Sequence, residues 1–113
     1  MSSYRLLVLS NPVAGREDEY NTWYSQQHIR DVAGLPGFTA AQRFKIAGPG
    51  LDGSESPYQY AAIYEIETED LAATLLLLGE KTGTDAVPMS EAIDTEKIFV
   101  VPMAPITERV TKS

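Results

Sequence analysis

The chain has a single histidine, His28, and the segment around it is the clearest candidate for acid–base chemistry. That segment reads YNTWYSQQHIRD over residues 20–31. At about 100° per residue, a helix through it carries one stripe of aromatic and polar side chains. The members of this stripe are Tyr20, Trp23, Tyr24, Gln27, His28 and Asp31. A helix used only for packing would continue with Leu or Val, so the polar end of the stripe indicates a site where His28 is a general acid or base.

Two side chains are placed to orient the imidazole. Asp31, one turn further along the helix, could hold the ring or share its proton, and Gln27 could orient it from the other side. The alternative is a structural histidine, hydrogen-bonded to the backbone or to Asp31, because an unpaired polar group on a buried face costs about 1–3 kcal/mol. We expect the site at the mouth of a pocket between the helix end, the sheet and the loop 48–57.

Tyrosines in the third predicted strand form a second candidate group. Tyr58, Tyr60 and Tyr64 share one face, because side chains alternate along a strand. They form either the aromatic wall of a cavity or the filling between two packed sheets. Their hydroxyls can donate to a ligand oxygen, which would let a pocket without a cofactor stabilise an enolate. Trp23 likewise has two interpretations, a cavity wall and a core residue.

Composition excludes several classes of function. The 113 residues carry a net charge of −7, which argues against nucleic acid and anionic membranes as partners. The absence of cysteine excludes disulfides, thiolate zinc sites and a Cys nucleophile. A transition-metal site would need carboxylates alone beside His28, and no G-x-S-x-G motif supports a hydrolase triad. We therefore predict a protein that uses neither a metal nor a cofactor.

Apolar runs and turn residues predict the elements that position these side chains. Strands are expected over residues 4–10, 38–47, 58–67 and 97–103, and helices over 16–33 and 69–81, with Thr68 as the second N-cap. Residues 48–57 read as a loop, 82–96 as irregular with a helical turn near 90–93, and 104–113 as a tail that is mobile at its end. The order β-α-β-β-α-β predicts a single α+β domain over residues 1–113. Its fold is ferredoxin-like, a four-stranded antiparallel sheet with two helices on one face.

Apolar side chains emerge from both faces of this predicted sheet. In the first strand, Leu6 and Val8 point to one face and Leu7 and Leu9 to the other. Only the second strand alternates cleanly, with Thr39, Arg43 and Lys45 set against Phe38, Phe44 and Ile46. A bare apolar face of this size exceeds what soluble monomers usually expose. We therefore expect a homodimer through the sheet face, a dimeric α/β barrel, with the alternative that residues 82–96 and the tail fold under the sheet.

The segment YNTWYSQQHIRDVAGLPGF, residues 20–38, resembles the EthD-like group of the dimeric α/β-barrel superfamily. The resemblance rests on an aromatic residue, then Trp23-Tyr24, then His28, then Leu-Pro-Gly-Phe before the second strand. The third-strand segment YAAIYEIE, residues 60–67, is similar to the same group. The resemblance implies that Trp23, Tyr24 and His28 border the pocket. The sequence departs from the pattern at residues 29–31, where relatives often have a proline soon after the histidine.

Members of this superfamily include cofactor-free monooxygenases, isomerases, cyclases and lyases that act on small hydrophobic or phenolic compounds. Others are haem enzymes or have no known activity. A haem enzyme of this type would need a histidine on or near the second helix, and residues 68–96 contain none. The resemblance therefore favours chemistry without haem.

These observations lead to one preferred function and two alternatives. We expect a small cofactor-independent enzyme acting on a hydrophobic or aromatic carbonyl compound, in which His28 moves the proton and Asp31 or Gln27 orients it. The expected substrate-binding residues are Trp23, Tyr24, Gln27, Tyr60 and Tyr64. The alternatives are a non-catalytic protein that binds small hydrophobic molecules and a purely structural dimer. No signal segment or membrane span is recognisable, so the cytoplasm is the default location.

Overall fold

The computed structural model describes residues 2–112. Its elements are β1 (Ser2–Pro12), α1 (Glu17–Trp23), a π-helical segment (Tyr24–His28), α2 (Ile29–Ala33), β2 (Phe38–Lys45), β3 (Tyr60–Thr68), α3 (Leu71–Lys81) and β4 (Ile93–Met103). The α1, π-helical and α2 segments follow one another without a break and together form the first helix. Within the described part, no helix is long and apolar enough to cross a membrane.

The four strands form one antiparallel sheet in the order β2-β3-β1-β4. Strand β3 lies between β1 and β2, the two strands that the first helix connects, which is the split β-α-β arrangement of ferredoxin-like folds. The helices cover one face, where Tyr20 and Val32 of the first helix pack with Leu6 and Ile66 of the sheet. The predicted α+β fold, with its helices on one face of the sheet, is confirmed.

Several strands begin or end at other residues than predicted. Strand β1 is longer than the predicted 4–10, and its last residue, Pro12, pairs with Ile93. Strand β4 therefore begins at Ile93 and not at residue 97, and the helical turn expected near residues 90–93 is absent. Strand β2 ends at Lys45 instead of residue 47, and β3 begins at Tyr60 instead of residue 58.

The helix α3 begins after Asp70 and not after Thr68. The Asp70 carboxylate accepts a hydrogen bond from the Ala73 backbone N–H at 3.0 Å, which is the N-cap arrangement. The Thr68 hydroxyl instead accepts from the Asp70 N–H at 3.2 Å and from the Thr74 hydroxyl at 2.9 Å. The expected N-cap at Thr68 is wrong, because this side chain closes the turn that precedes the helix.

The first helix is wider in its middle. The Ile29 N–H reaches the carbonyl of Tyr24, five residues earlier, so the segment Tyr24–His28 is π-helical. A π-helical turn rotates less per residue than an α-helical turn, which brings His28 into line with Tyr24 and turns Gln27 outward. Accordingly His28 is only 8% exposed, whereas Gln27 is exposed to solvent. The observed helix nearly matches the predicted range of residues 16–33. The directions of its side chains after Trp23 differ from those of a regular α-helix.

Strand β2 carries one extra residue near its start. Phe38 pairs with Ile66 whereas Ala40 pairs with Glu65, so a β-bulge separates the two pairs. The bulge shifts the alternation by one residue, and Phe38 and Arg43 both point to the helix side. The clean alternation predicted for this strand, with Phe38 and Arg43 on opposite faces, is wrong for that reason.

The sheet face opposite the helices, called the open face below, remains uncovered by the described residues. Phe99 on this face is 44% exposed. Residues 82–92 do not fold under it, because Val87 is fully buried in the core on the helix side. The tail lines a groove with residues 3–5 and leaves the apolar side chains of the face accessible. These side chains are Leu7, Leu9, Phe44, Ala61, Ile63, Phe99, Val101 and Met103.

Gly37, in the turn before β2, occupies a position that only glycine fits. Its φ is +90°, and a Cβ placed there would lie 3.0 Å from the Thr74 methyl group. Gly37→Ala should therefore lower the free energy of unfolding by about 1–3 kcal/mol, measured by chemical denaturation. Gly79→Ala is the matched control, because Gly79 lies in α3 with open space around it and should gain about 0.5–1 kcal/mol. Equal effects at both positions would contradict the turn geometry.

Candidate functional site

A cavity of about 180 Å³, called the His28 cavity below, lies between the sheet and the helices. Its apolar lining comes from both layers and consists of Leu6, Val8, Val32, Leu78, Met89, Ile93, Ile98 and Val100. Its polar lining consists of Tyr24, His28, Tyr64 and Thr82. No aspartate, glutamate, lysine or arginine is among these described lining residues, so the cavity suits an uncharged ligand.

Aromatic packing holds the imidazole of His28 in place. The ring stacks on Trp23 with centroids 4.5 Å apart, and it meets the Tyr24 ring edge-on at 4.8 Å. The Trp23 indole N–H donates to the Pro88 carbonyl at 3.2 Å, which anchors the stacked pair to the segment after α3. His28 thus lines the cavity, while Trp23 contacts the imidazole from outside the lining.

The Nδ1 atom of His28 is buried and has no hydrogen-bond partner within residues 2–112. The Oδ2 atom of Asp31 is also buried without a hydrogen-bond partner in this range, so no hydrogen bond connects these two atoms. A structural histidine would have its buried nitrogen satisfied by the backbone or by Asp31. Among the described residues, Nδ1 therefore receives no such bond from the backbone or from Asp31.

Burial lowers the pKa of His28 from 6.5 to about 4, because the charged form loses its hydration. The Asp31 carboxylate opposes this effect and raises the pKa of His28, whereas the Arg43 guanidinium lowers it further. The imidazole is consequently neutral at pH 7 and has one nitrogen that can accept a proton or a hydrogen bond. The site therefore contains a neutral imidazole at neutral pH.

Tyr24 and Tyr64 form a buried pair of hydroxyl groups on the cavity wall, with their oxygens 3.2 Å apart. Burial raises the pKa of Tyr24 to about 12 and also raises the pKa of Tyr64, so both remain protonated at neutral pH. Each hydroxyl carries one proton, and the bond between the two oxygens uses one of them. The other proton is available to a ligand oxygen in the cavity.

Three of the predicted substrate-binding side chains, Trp23, Gln27 and Tyr60, lie outside the cavity lining. Gln27 is exposed, because the π-helical segment rotates it outward. Tyr60 lies opposite Ser10 near the start of the first helix, and its hydroxyl accepts a hydrogen bond from the Asn21 amide at 3.1 Å. Of the predicted site residues, the structure brings together His28, Tyr24 and Tyr64 in the lining, with Trp23 and Asp31 beside them.

Arg43 is a charged neighbour of the site that the sequence reasoning did not single out. Its guanidinium carbon lies 4.4 Å from the centroid of the Tyr24 ring and 5.3 Å from those of Tyr20 and Tyr60. Aromatic faces attract such a cation, which helps it to remain partly desolvated. The bulge in β2 explains the omission, because regular alternation from Phe38 would turn Arg43 away from the helices.

The segment that helps to enclose the cavity differs from the one expected. No residue of the loop 48–57 lines it, and the end of that loop is held by Asn11, whose amide donates to the Pro57 carbonyl at 2.9 Å. The predicted pocket mouth at residues 48–57 is therefore wrong. The cavity is closed instead by Thr82, Met89 and Ile93, from a segment read as irregular. The apolar run Val87-Pro88-Met89 is the sequence signal that could have indicated this.

Among residues 2–112, no group of three or more His, Asp or Glu side chains is arranged to hold a metal ion. The polar groups that line the His28 cavity are one imidazole, two phenols and one threonine hydroxyl. These groups can accept or donate protons and hydrogen bonds, so proton transfer is the chemistry that the lining itself offers.

Comparison with known proteins finds likeness in structure only. No family model matches the sequence, and no curated protein matches it. The chain is similar to an EthD-like protein from Ralstonia eutropha JMP134, with a TM-score of 0.65, 13% identity and 96% of each chain covered. It is also similar to a DABB family protein with a ferredoxin-like fold from Mesorhizobium loti MAFF303099, with a TM-score of 0.62, 13% identity, and 95% of this chain and 100% of that chain covered.

A third similar structure is a dimeric ferredoxin-like protein of unknown function from Jannaschia sp. CCS1. Its TM-score is 0.56 at 15% identity, with 91% of this chain and 99% of that chain covered. At identities this low, the likeness establishes the fold. The predicted resemblance to EthD-like proteins is confirmed as a likeness of fold.

The low pKa of His28 predicts a pH-dependent contribution to stability. The unfolded chain takes up a proton at His28 below pH 6.5, while the folded chain does so only near pH 4, so acid favours unfolding between these values. Relative to His28→Gln, the wild type should lose about 3 kcal/mol of unfolding free energy between pH 7 and pH 4. Chemical denaturation of both proteins at several pH values measures this. A constant difference between them would contradict the burial assigned to the imidazole.

Proposed function

We propose that this chain is a small enzyme that needs no cofactor and acts on a hydrophobic or aromatic carbonyl compound in the His28 cavity. The observation that carries the proposal is a neutral imidazole that lines a largely apolar cavity together with two phenols. Isomerases, lyases and related cofactor-free enzymes share the step that this arrangement favours, which is removal of a proton next to a carbonyl group.

The size and lining of the cavity limit the substrate class. Its volume of about 180 Å³ exceeds only slightly the ~150 Å³ of an apolar cavity that takes up benzene. One aromatic ring with a small substituent, or a short branched chain, is therefore the expected size. An ionised substrate is disfavoured, because it would lose its hydration without gaining an opposite charge in the lining.

In the proposed reaction, His28 is the base. The imidazole removes a proton from the carbon next to the carbonyl group, while the free proton of the Tyr24–Tyr64 pair is donated to the oxygen that becomes an enolate. Asp31 stabilises the imidazolium, because its carboxylate raises the pKa of His28. A base with a pKa of about 4 is weak, so the reaction depends on an acidic C–H bond and on the phenol donor.

The other predicted site residues have smaller parts in this proposal. Trp23 is a positioning residue, since it contacts the imidazole by stacking and is tied to the Pro88 carbonyl. Gln27 and Tyr60 take no part in the reaction, because they lie outside the cavity lining.

A homodimer through the open face is part of the proposal. Phe99, Phe44 and Met103 on this face are 44%, 42% and 39% exposed. Burying an apolar side chain of this size fully is worth about 1.5–3 kcal/mol relative to exposure, so a second copy packed sheet on sheet has a substantial driving force. The similar Jannaschia protein is described as dimeric, which supports a dimer but does not specify the interface.

A second candidate function is binding of a small hydrophobic molecule without a reaction. The observation that favours it is the pKa of His28, which at about 4 lies well below neutral pH, whereas a general base works best with a pKa near the working pH. In this case the imidazole of His28 would form a hydrogen bond with the ligand and would not move a proton.

Solvent deuterium exchange tests the proposed proton transfer. A panel of small aromatic and aliphatic ketones is incubated with the protein in D2O, and loss of the proton signal next to the carbonyl group is followed by NMR. His28→Ala should slow the exchange of an accepted ketone by a factor of about 100 or more, as expected for loss of a general base. Gln26→Ala, an exposed neighbour on the same helix, is the matched control and should leave the rate unchanged.

The same experiment separates the two candidate functions. An accepted ketone that exchanges as fast with His28→Ala as with the wild type would exclude His28 as the base. If ketones shift the NMR signals of Val8 and Val100 but no protein-dependent exchange occurs, the enzyme proposal would be rejected in favour of binding without a reaction.

Phe99→Lys should dissociate the proposed dimer, because a charge at an apolar interface would have to be desolvated without a partner. Sedimentation velocity at micromolar concentration should give a dimer for the wild type and a monomer for this variant. Leu76→Lys is the control, since Leu76 is 64% exposed on the outer surface of α3, and this variant should remain a dimer. A monomeric wild type would refute the proposed interface.

A further inference from the structure

A second depression, called the Arg30/Arg43 groove, lies at the opposite edge of the sheet from β4. It has a volume of about 370 Å³ and runs between the first helix and the edge strand β2. Its polar residues include Ser25, Arg30 and Arg43, and its apolar residues are Ile29, Ala33 and Ala41. Because β2 is an edge strand, part of its backbone also has no partner strand there. The groove shares no lining residue with the His28 cavity.

The guanidinium of Arg43 is partly buried in this groove without a carboxylate beside it. One terminal nitrogen donates to the Ser25 hydroxyl at 2.7 Å and the other to the Asn21 side-chain oxygen at 3.1 Å. The Nε atom is buried and has no hydrogen-bond partner among residues 2–112. The contacts of Arg43 are therefore neutral oxygens and aromatic faces, and no described carboxylate forms an ion pair with it.

Arg30 adds a second positive charge to the same groove. In the described part of the chain, ion pairs join Arg5 to Glu65 and Arg16 to Glu19, and no carboxylate lies within 4.0 Å of the Arg30 or Arg43 nitrogens. The full chain has 16 acidic residues against 9 basic ones, so acidic side chains are not scarce. Two positively charged side chains therefore line one groove without an ion-pair partner among the described residues, which favours an anion there.

A hydroxyl completes this set of donors. Ser25 accepts the hydrogen bond from Arg43 through its oxygen, so its own proton remains free to donate. Two guanidinium groups and a hydroxyl match the two oxygens of a carboxylate, which arginine binds in a fork-like geometry. The neighbouring Ile29 and Ala33 offer apolar surface for a short hydrocarbon chain.

We propose that the Arg30/Arg43 groove binds a small monocarboxylate with a short apolar chain. Arg30 and the Ser25 hydroxyl contact the carboxylate, and Arg43 supplies the positive charge behind them. The apolar chain lies against Ile29, Ala33 and Ala41. This site is separate from the His28 cavity and takes a charged ligand, whereas that cavity takes an uncharged one.

Titration with hexanoate, followed by amide signals in proton–nitrogen NMR, tests the proposal. Hexanoate should shift the signals of Ser25, Ile29 and Ala41, and binding should weaken as salt is raised, because the contact is between charges. Hexan-1-ol, the matched neutral probe, should leave these signals in place. Arg30→Gln should weaken hexanoate binding about tenfold, and Arg109→Gln, an exposed arginine in the tail, should not change it.

Arg30 is exposed, so Arg30→Gln is expected to fold, and the result does not depend on replacing the partly buried Arg43. Equal binding of hexanoate and hexan-1-ol would overturn the proposal, as would unchanged binding by Arg30→Gln. Shifts confined to Val8, Ile98 and Val100 would place hexanoate in the His28 cavity and also overturn it. Inorganic phosphate binding as tightly as hexanoate would show that the carboxylate class is wrong.

Discussion

The structure depends on the burial of a helix stripe that is both aromatic and polar. To pack on the sheet, the first helix must take the hydroxyls of Tyr20 and Tyr24 out of water, and each finds a partner across the layer. Tyr20 meets Ser10 at 2.6 Å and Tyr24 meets Tyr64 at 3.2 Å. At His28 the same burial leaves Nδ1 without a partner, at a cost of about 1–3 kcal/mol. The one unsatisfied nitrogen of the stripe thus belongs to the residue that lines the cavity.

Much of the fold follows from local sequence patterns, and the errors have physical causes. Apolar runs separated by Gly and Pro predicted the order of strands and helices, because these signals act over a few residues. The start of β4 at Ile93 was missed, since residues 94–97 are polar and only the residues on either side of them, Ile93 and Ile98, pair with β1. The cap at Asp70 was missed because Thr68, two residues earlier, is also a favoured cap residue.

The candidate site was predictable in part. Helical periodicity selected His28 and Tyr24. Strand alternation grouped Tyr64 with Tyr60 but left open whether their face meets the helices or a second sheet, and the structure places Tyr64 in the cavity lining. Rotation by the π-helical segment excluded Gln27, and nothing in the residue types predicts a π-helical hydrogen bond. The closing segment around Met89 was also missed, because its position depends on contacts with residues far away in the chain, such as the one between Trp23 and the Pro88 carbonyl.

The extra residue in β2 determines which side chains of this strand face the helices and which belong to the open face. Without it, the strand would pair straight through from Phe38, and every later side chain would exchange faces. Arg43 would then leave the tyrosines and bring a charge to the open face, while Phe44 would turn inward to the helices. The length of this strand is therefore constrained by the packing on both faces of the sheet. During evolution, a gain or loss of one residue is far more easily accommodated in the exposed loop 48–57 than between residues 38 and 43.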